Sequence, residues 1–177
     1  MKLHIGCGKK FLVGYKHLDV INYDHVDFQC DARNLSLIGD EKVTEIYACH
    51  VLEHVKKDEL EEVLREWHRV LKPNSILRIA VPDFAAITAE YNANKNLESL
   101  QGLLFGGQTY DYNYHHAAFD FDIIKSLLED SGFTGVSKYD WKDFLPQDFD
   151  DFSRAYLPHM DFDNGRLMSL NVVARKI

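Results

Sequence analysis

Proline, cysteine and long apolar runs are all scarce in this chain of 177 residues, and each scarcity removes a class of answer. The four prolines are scattered at positions 73, 82, 146 and 158, and no Pro-, Gly- or Ser-rich linker, internal repeat or low-complexity tract divides the sequence. A single domain spanning residues 1–177 is therefore expected, within the ~100–200 residues that one core supports. Cys7, Cys30 and Cys49 have no CxxC or CxxH spacing, so neither a zinc site nor a redox pair is expected, and their odd number fits buried thiols in a reducing compartment. No stretch approaches the ~20 apolar residues of a membrane span, and the chain opens directly on strand-like Lys2-Leu3-His4-Ile5. A cytoplasmic location without a membrane partner follows as an expectation. Positive charge is short as well. Lys plus Arg number 20 against 28 Asp plus Glu, and a net charge of −8 repels phosphate backbones, so nucleic acid is not an expected partner.

What is present is core material, at 46% hydrophobic and 12% aromatic residues, arranged as short strands alternating with helices. Strands are expected at residues 2–5, 17–21, 26–30, 45–49, 75–81, 136–141 and 167–175. The strongest helical signal covers residues 57–71. Leu60, Val63, Leu64, Trp67, Val70 and Leu71 fall on one stripe, with Glu61 and Arg65 paired four apart on the surface. Lys72-Pro73-Asn74 stops it, because proline cannot extend the hydrogen-bond ladder. A second helix is expected at residues 84–93, and a third after an Asp120 cap, with Phe121, Ile124, Leu127 and Leu128 on one face. This alternation predicts an α/β fold: a mostly parallel seven-stranded sheet with helices on both faces and a C-terminal antiparallel strand.

In open α/β sheets ligands bind beyond the C-terminal ends of the strands, which here carry Gly6-Cys7-Gly8, Asp19-Val20, Asp31-Ala32, His50 and Pro82-Asp83. Glycines let a loop backbone approach a ligand closely, and an acid on the next strand accepts hydrogen bonds from ribose hydroxyls. An adenosine-containing cofactor fits this set. A dinucleotide does not, because Phe11 stands where the third glycine of GxGxxG belongs and Asp19 follows Gly8 by only 11 residues, scarcely enough for the usual crossover helix.

The runs Leu3-His4-Ile5-Gly6-Cys7-Gly8, Gly14-Tyr15-Lys16-His17-Leu18-Asp19-Val20, Cys30-Asp31-Ala32, His50-Val51-Leu52-Glu53-His54 and the stretch from Arg69 to Asp83 together resemble the small class I S-adenosylmethionine-dependent methyltransferases. The resemblance implies a Rossmann-like fold and S-adenosylmethionine as cofactor, with S-adenosylhomocysteine as product. By position it implies that Gly6, Cys7 and Gly8 lie against the methionine part, that Asp19 with Val20 holds the ribose, that Asp31 and Ala32 meet the adenine edge, and that His50 borders the sulfonium. Two departures are Lys10 in place of a third glycine and Asn74 in place of a turn glycine; asparagine tolerates the left-handed turn.

Methyl transfer needs the acceptor held in line and, for a hydroxyl or ammonium, a group to take its proton. The leading candidates are His115, Asp83 and His50, with His54 and His116 behind them. His50 and His54, four apart, suit a metal pair, but no third ligand has recognisable spacing, so no metal is expected. Tyr110-Asp111-Tyr112-Asn113-Tyr114 is either an acceptor wall or an aromatic loop over the sheet. The acidic, aromatic segment 142–165 is either a lid or an edge insertion whose phenylalanines pack down while its acids stay in water. The expected function is methylation of a small molecule or saccharide-type metabolite. The alternative is a non-catalytic cofactor-binding module or partner subunit.

Overall fold

The computed structural model describes residues 1–177. Its chain order is β1 (Lys2–Ile5), β2 (Tyr15–Asp19), β3 (Phe28–Gln29), β4 (Val43–Cys49), α1 (Leu60–Val70), β5 (Leu71–Pro82), α2 (Phe84–Asn94), α3 (Gln101–Phe105), α4 (Phe121–Asp130), β6 (Phe133–Lys138), β7 (Tyr156–Leu157), β8 (Arg166–Leu167) and β9 (Ser169–Lys176). Seven strands form one sheet in the order β3-β2-β1-β4-β5-β9-β6, while β7 and β8 pair separately. The neighbours from β3 to β5 are parallel, and β9 runs antiparallel to both β5 and β6. This is the expected architecture, with the antiparallel strand placed inside the sheet.

The pleat sorts each strand's side chains. Leu3, Ile5, Leu18, Ile46, Ala48, Leu77, Ile79, Val81, Leu170, Val172 and Ala174 join the main core with the stripes of α1 and α4. On the other face Tyr47, Cys49 and Ala80 pack under Leu12, Trp141, Leu145 and Phe149. Helical cover is thus uneven. The β1–β2 connection is too short for a helix, and buried Leu12 fills that place.

Local chemistry fixes the boundaries. Asp120 caps α4 by accepting from Ile123 N–H at 2.9 Å, and Glu61 meets Arg65 at 2.5 Å on α1. Asn74 takes the left-handed conformation (φ 63°), where the β4–β5 register shifts, so the Lys72-Pro73-Asn74 stop becomes an irregularity at the start of β5. β2 begins and ends two residues earlier than expected. Asp19 Oδ1 accepts from Ile21 N–H at 2.8 Å and turns the chain out of the sheet before Val20. No helix is long and apolar enough to cross a membrane.

Candidate functional site

The ends of β1, β2 and β4 border a cleft of about 430 Å³. Gly6, Gly8, Asp19, Val20, Asp31, Ala32 and His50 all line it, so seven residues nominated from sequence converge on one place. Gly6 has φ 63°, and a Cβ there would stand 2.3 Å from Val51 Cγ2, so only glycine lets the loop lie this close to the segment after β4. Asp19 is buried at the rear and holds the loop shut: Oδ2 accepts from Gly8 N–H at 2.8 Å while Oδ1 takes Ile21 N–H. Each oxygen keeps acceptor capacity for a ligand hydroxyl. Asp31 is gripped by Arg33, whose Nε and Nη2 lie 2.9 and 2.6 Å from the two carboxylate oxygens. Burial would raise the Asp31 carboxyl, but the Arg33 side chain and N–H hold it below the usual carboxylate range.

Cys7 is not in the lining. Its side chain is buried against the Gly8 carbonyl and His25, and burial, reinforced by Asp19, pushes the thiol up to about 12, so it stays protonated. Only the Cys7 backbone belongs to the loop.

His50, just after β4, lies in the left-handed region (φ 53°), a conformation that costs a non-glycine residue energy and that tertiary contacts must hold. Its N–H donates to the Ala80 carbonyl at 2.8 Å, Nε2 lies 3.4 Å from Ser169 Oγ, and Nδ1 lies 3.1 Å from Glu53 Oε1. Glu53 is fully buried. Burial alone would raise its carboxyl, but His50 and then His54 keep it below the usual range.

The other two leading catalytic candidates lie elsewhere. Asp83 caps α2, Oδ1 accepting from Ala85 N–H at 2.9 Å and Ala86 N–H at 3.4 Å, and it does not line the cleft. His115 sits behind Glu53, with Nε2 4.0 Å from Glu53 Oε1, and is likewise absent from the lining. His54 and His116 do border the cleft.

Tyr110, Asp111 and Tyr112 line the cleft, whereas Tyr114 does not. Segment 142–165 lines none of the cleft and packs against the opposite face of the sheet. Its acids are not all in water: Asp151 accepts from the buried Tyr47 hydroxyl at 2.5 Å. Sequence reasoning missed Tyr23, Arg33, Val51, Val55 and Lys56. Arg33 carries a local signal, two residues from the acid it grips. Tyr23 carries none, because its approach depends on the turn that Asp19 imposes.

A strand order with parallel β3-β2-β1-β4-β5, a final antiparallel strand and a ligand cleft at the strand ends places the molecule among the Rossmann-like α/β folds. Residues 15–79 match a family model described as a methyltransferase domain. Among solved structures, an S-adenosylmethionine-dependent methyltransferase from Archaeoglobus fulgidus is similar at 16% identity, with TM-score 0.58, over 98% of this chain and 85% of that one. The Burkholderia thailandensis 1,6-didemethyltoxoflavin-N1-methyltransferase, solved with 1,6-didemethyltoxoflavin and S-adenosylhomocysteine, is similar at 14% identity and TM-score 0.52, over 92% of this chain and 60% of that one. Human N-acetylserotonin methyltransferase, in complex with S-adenosylmethionine, is similar at 12% identity and TM-score 0.52, over 92% of this chain and 41% of that one. The chain thus spans much less than the full length of the last two. No curated protein matches it in sequence. The protein has the class I S-adenosylmethionine-dependent methyltransferase fold, and its residues 15–79 carry the methyltransferase-domain signature.

Proposed function

We propose that the protein transfers the methyl group of S-adenosylmethionine to a small-molecule acceptor bearing a hydroxyl or amine, of which a saccharide-type metabolite is one form. The observation that carries this reading is the convergence of Gly6, Gly8, Asp19, Asp31 and His50 on one cleft. At about 430 Å³ it is in the range of small-molecule sites, ~300–1,000 Å³. In this proposal residues 1–177 act as one domain, and the three free cysteines favour a reducing, cytoplasmic setting.

S-adenosylmethionine, when bound, supplies a methyl already activated on a sulfonium. The chain's part is then to bind and orient. The Gly6–Gly8 backbone, Cys7 included, would lie against the methionine portion, and Asp19 beside Val20 would use its remaining lone pairs on ribose hydroxyls. Asp31, fixed by Arg33, and Ala32 would meet the adenine edge. Arg33 and Lys56 offset part of the negative charge of Asp19, Asp31 and Asp111 in the lining, and the acidic balance that remains suits a cationic donor. His50 is the one leading catalytic candidate that reaches the cleft, and would contact the acceptor there.

Calorimetric titration with S-adenosylhomocysteine, with NAD as control, tests this. Binding of the first alone is expected, and failure of both overturns the reading. Asp19→Ala should raise the S-adenosylhomocysteine Kd roughly 10- to 150-fold, about 1.5–3 kcal/mol, as hydrogen bonds to a charged group are lost. An unchanged Kd in a variant whose circular dichroism matches the parent removes Asp19 from the ribose.

A further inference from the structure

Beside His50 lies a constellation to which the proposed function assigns no role. Glu53, His54 and His115 each offer one ligand atom, and the three atoms lie within 4.8 Å of one another. The fold assembles them from distant sequence, because His116 N–H and Ala117 N–H both donate to the Glu53 carbonyl, at 2.7 and 3.2 Å, and bring His115 alongside.

Glu53 has 0% exposure, and neither carboxylate oxygen has a hydrogen-bond partner of good geometry. A buried carboxyl with neither oxygen hydrogen-bonded is costly, and a cation bound beside it would remove that cost. His50 Nδ1, 3.1 Å from Oε1, answers one oxygen in part, while Oε2 has no neighbour of this kind.

The two remaining histidines are held in a manner that suits metal binding. His54 Nδ1 lies 3.0 Å from the Tyr114 carbonyl, and His115 Nδ1 lies 3.0 Å from the Leu103 carbonyl. A carbonyl only accepts, so in each ring Nδ1 carries a hydrogen and Nε2 is the nitrogen left to face a ligand. His115 Nε2 then faces Glu53 Oε1 across 4.0 Å. A backbone carbonyl on one ring nitrogen, fixing the tautomer and freeing the other, is the usual support of a ligating histidine.

We propose that Glu53, His54 and His115 bind a divalent transition-metal ion of the zinc type at the edge of the cleft. Two imidazoles and one carboxylate are the donors of Zn²⁺, Mn²⁺ or Fe²⁺ sites rather than of the all-oxygen Ca²⁺ and Mg²⁺ sites. Bonds of ~2.0–2.2 Å put tetrahedral ligand atoms roughly 3.3 Å apart, so the side chains close by about 1 Å on binding. His54, partly exposed on the cleft wall, has the freedom to supply much of that movement. Three protein ligands leave a position for a water or an acceptor oxygen, whose proton a metal makes easier to lose. The i, i+4 pair His50 and His54 is thus not the ligand pair; the unrecognised third ligand is His115.

The test uses chelator-treated, full-length protein titrated with Zn²⁺ by calorimetry, and the Co²⁺ visible spectrum as a reporter of ligation. One equivalent of Zn²⁺ and Co²⁺ bands of a four- or five-coordinate site are expected. His54→Ala and His115→Ala should each weaken Zn²⁺ at least tenfold, while His159→Ala, at an exposed position outside the cluster, should leave it unchanged. His54 is not a core residue, so His54→Ala decides the matter even where replacing Glu53 unfolds the protein. No Zn²⁺ uptake by the folded parent, or equal uptake by parent, His54→Ala and His115→Ala, overturns the site. No methyl donor is present, so the outcome is independent of the S-adenosylhomocysteine titration.

Discussion

The two faces of the sheet are built from the same strands yet held by different forces. Toward α1 and α4 the strands present Leu, Ile, Val and Ala, which need only shape and apolar area, and two helices with apolar stripes supply both. Toward the segment after β6 they present His4, His17, Glu45, Tyr47, Arg78 and Asn171, groups that need partners as well as cover. That cover is accordingly irregular and specific. Asn171 Nδ2 donates to the Ser153 carbonyl at 2.8 Å, Tyr47 donates to Asp151, and Arg78 pairs with Glu45 while lying 4.3 Å from the Phe144 ring centre. A polar sheet face therefore selects a strap with turns at chosen points rather than a helix, because a helix spends its backbone donors on itself.

The sharpest contrast comes from removing one large group from each face. Trp67 is fully buried in α1 and donates Nε1–H to the Ala32 carbonyl at 2.8 Å, tying the helix to the cleft wall. Trp67→Ala should cost about 3–5 kcal/mol in urea-denaturation stability, from lost transfer energy plus the cavity. On the strap face, Asp151→Ala leaves the Tyr47 hydroxyl buried without an acceptor and should cost about 1–3 kcal/mol. Adding Tyr47→Phe should recover part of that loss, since an absent hydroxyl needs no partner. Recovery is not expected of any second change beside Trp67→Ala, and equal losses on the two faces would erase the distinction drawn between them.

This contrast also explains what was legible in the sequence. α1 was readable because an apolar face leaves a periodic stripe, and β5 because a central strand is apolar nearly throughout. Gly6, Asp19, Asp31 and His50 were readable as a set because strand ends in this topology converge, whatever lies between them. Asp83 sits before a helix as Asp120 does; both accept hydrogen bonds from the first helical turn, while the strand end before Asp83 had suggested a place at the cleft, which it does not line. His115 reached the right neighbourhood but the wrong layer, since only the bonds from His116 and Ala117 to the Glu53 carbonyl decide which side of Glu53 it occupies. The strap was legible as a segment but not as a cover, because its partners are single polar groups on β4 and β9 that leave no period.

The smallest expected effect separates the faces by pH. His4 is 2% exposed with Nδ1 unpartnered, and its ring stands 5.3 Å from that of Tyr47. Burial, with His17 and His25 adding to it, pushes its pKa down to about 3. The unfolded chain takes up this proton below about 6.5 while the folded one refuses it, so stability contributed by His4 is present above that pH and falls as pH is lowered. Between pH 7 and pH 6 the loss from this group is about 0.7 kcal/mol, approaching about 1.4 kcal/mol per pH unit below that. His17, also lowered by burial, acts with the same sign. His4→Phe keeps an aromatic ring in the strap-side core and should flatten this slope by one proton's share in denaturation curves at pH 7, 6 and 5. Trp67→Phe on the helix-covered face should shift stability equally at all three, because it removes no group that titrates in this range. If His4→Phe retains the parental slope, the strap face is not sealed against protons.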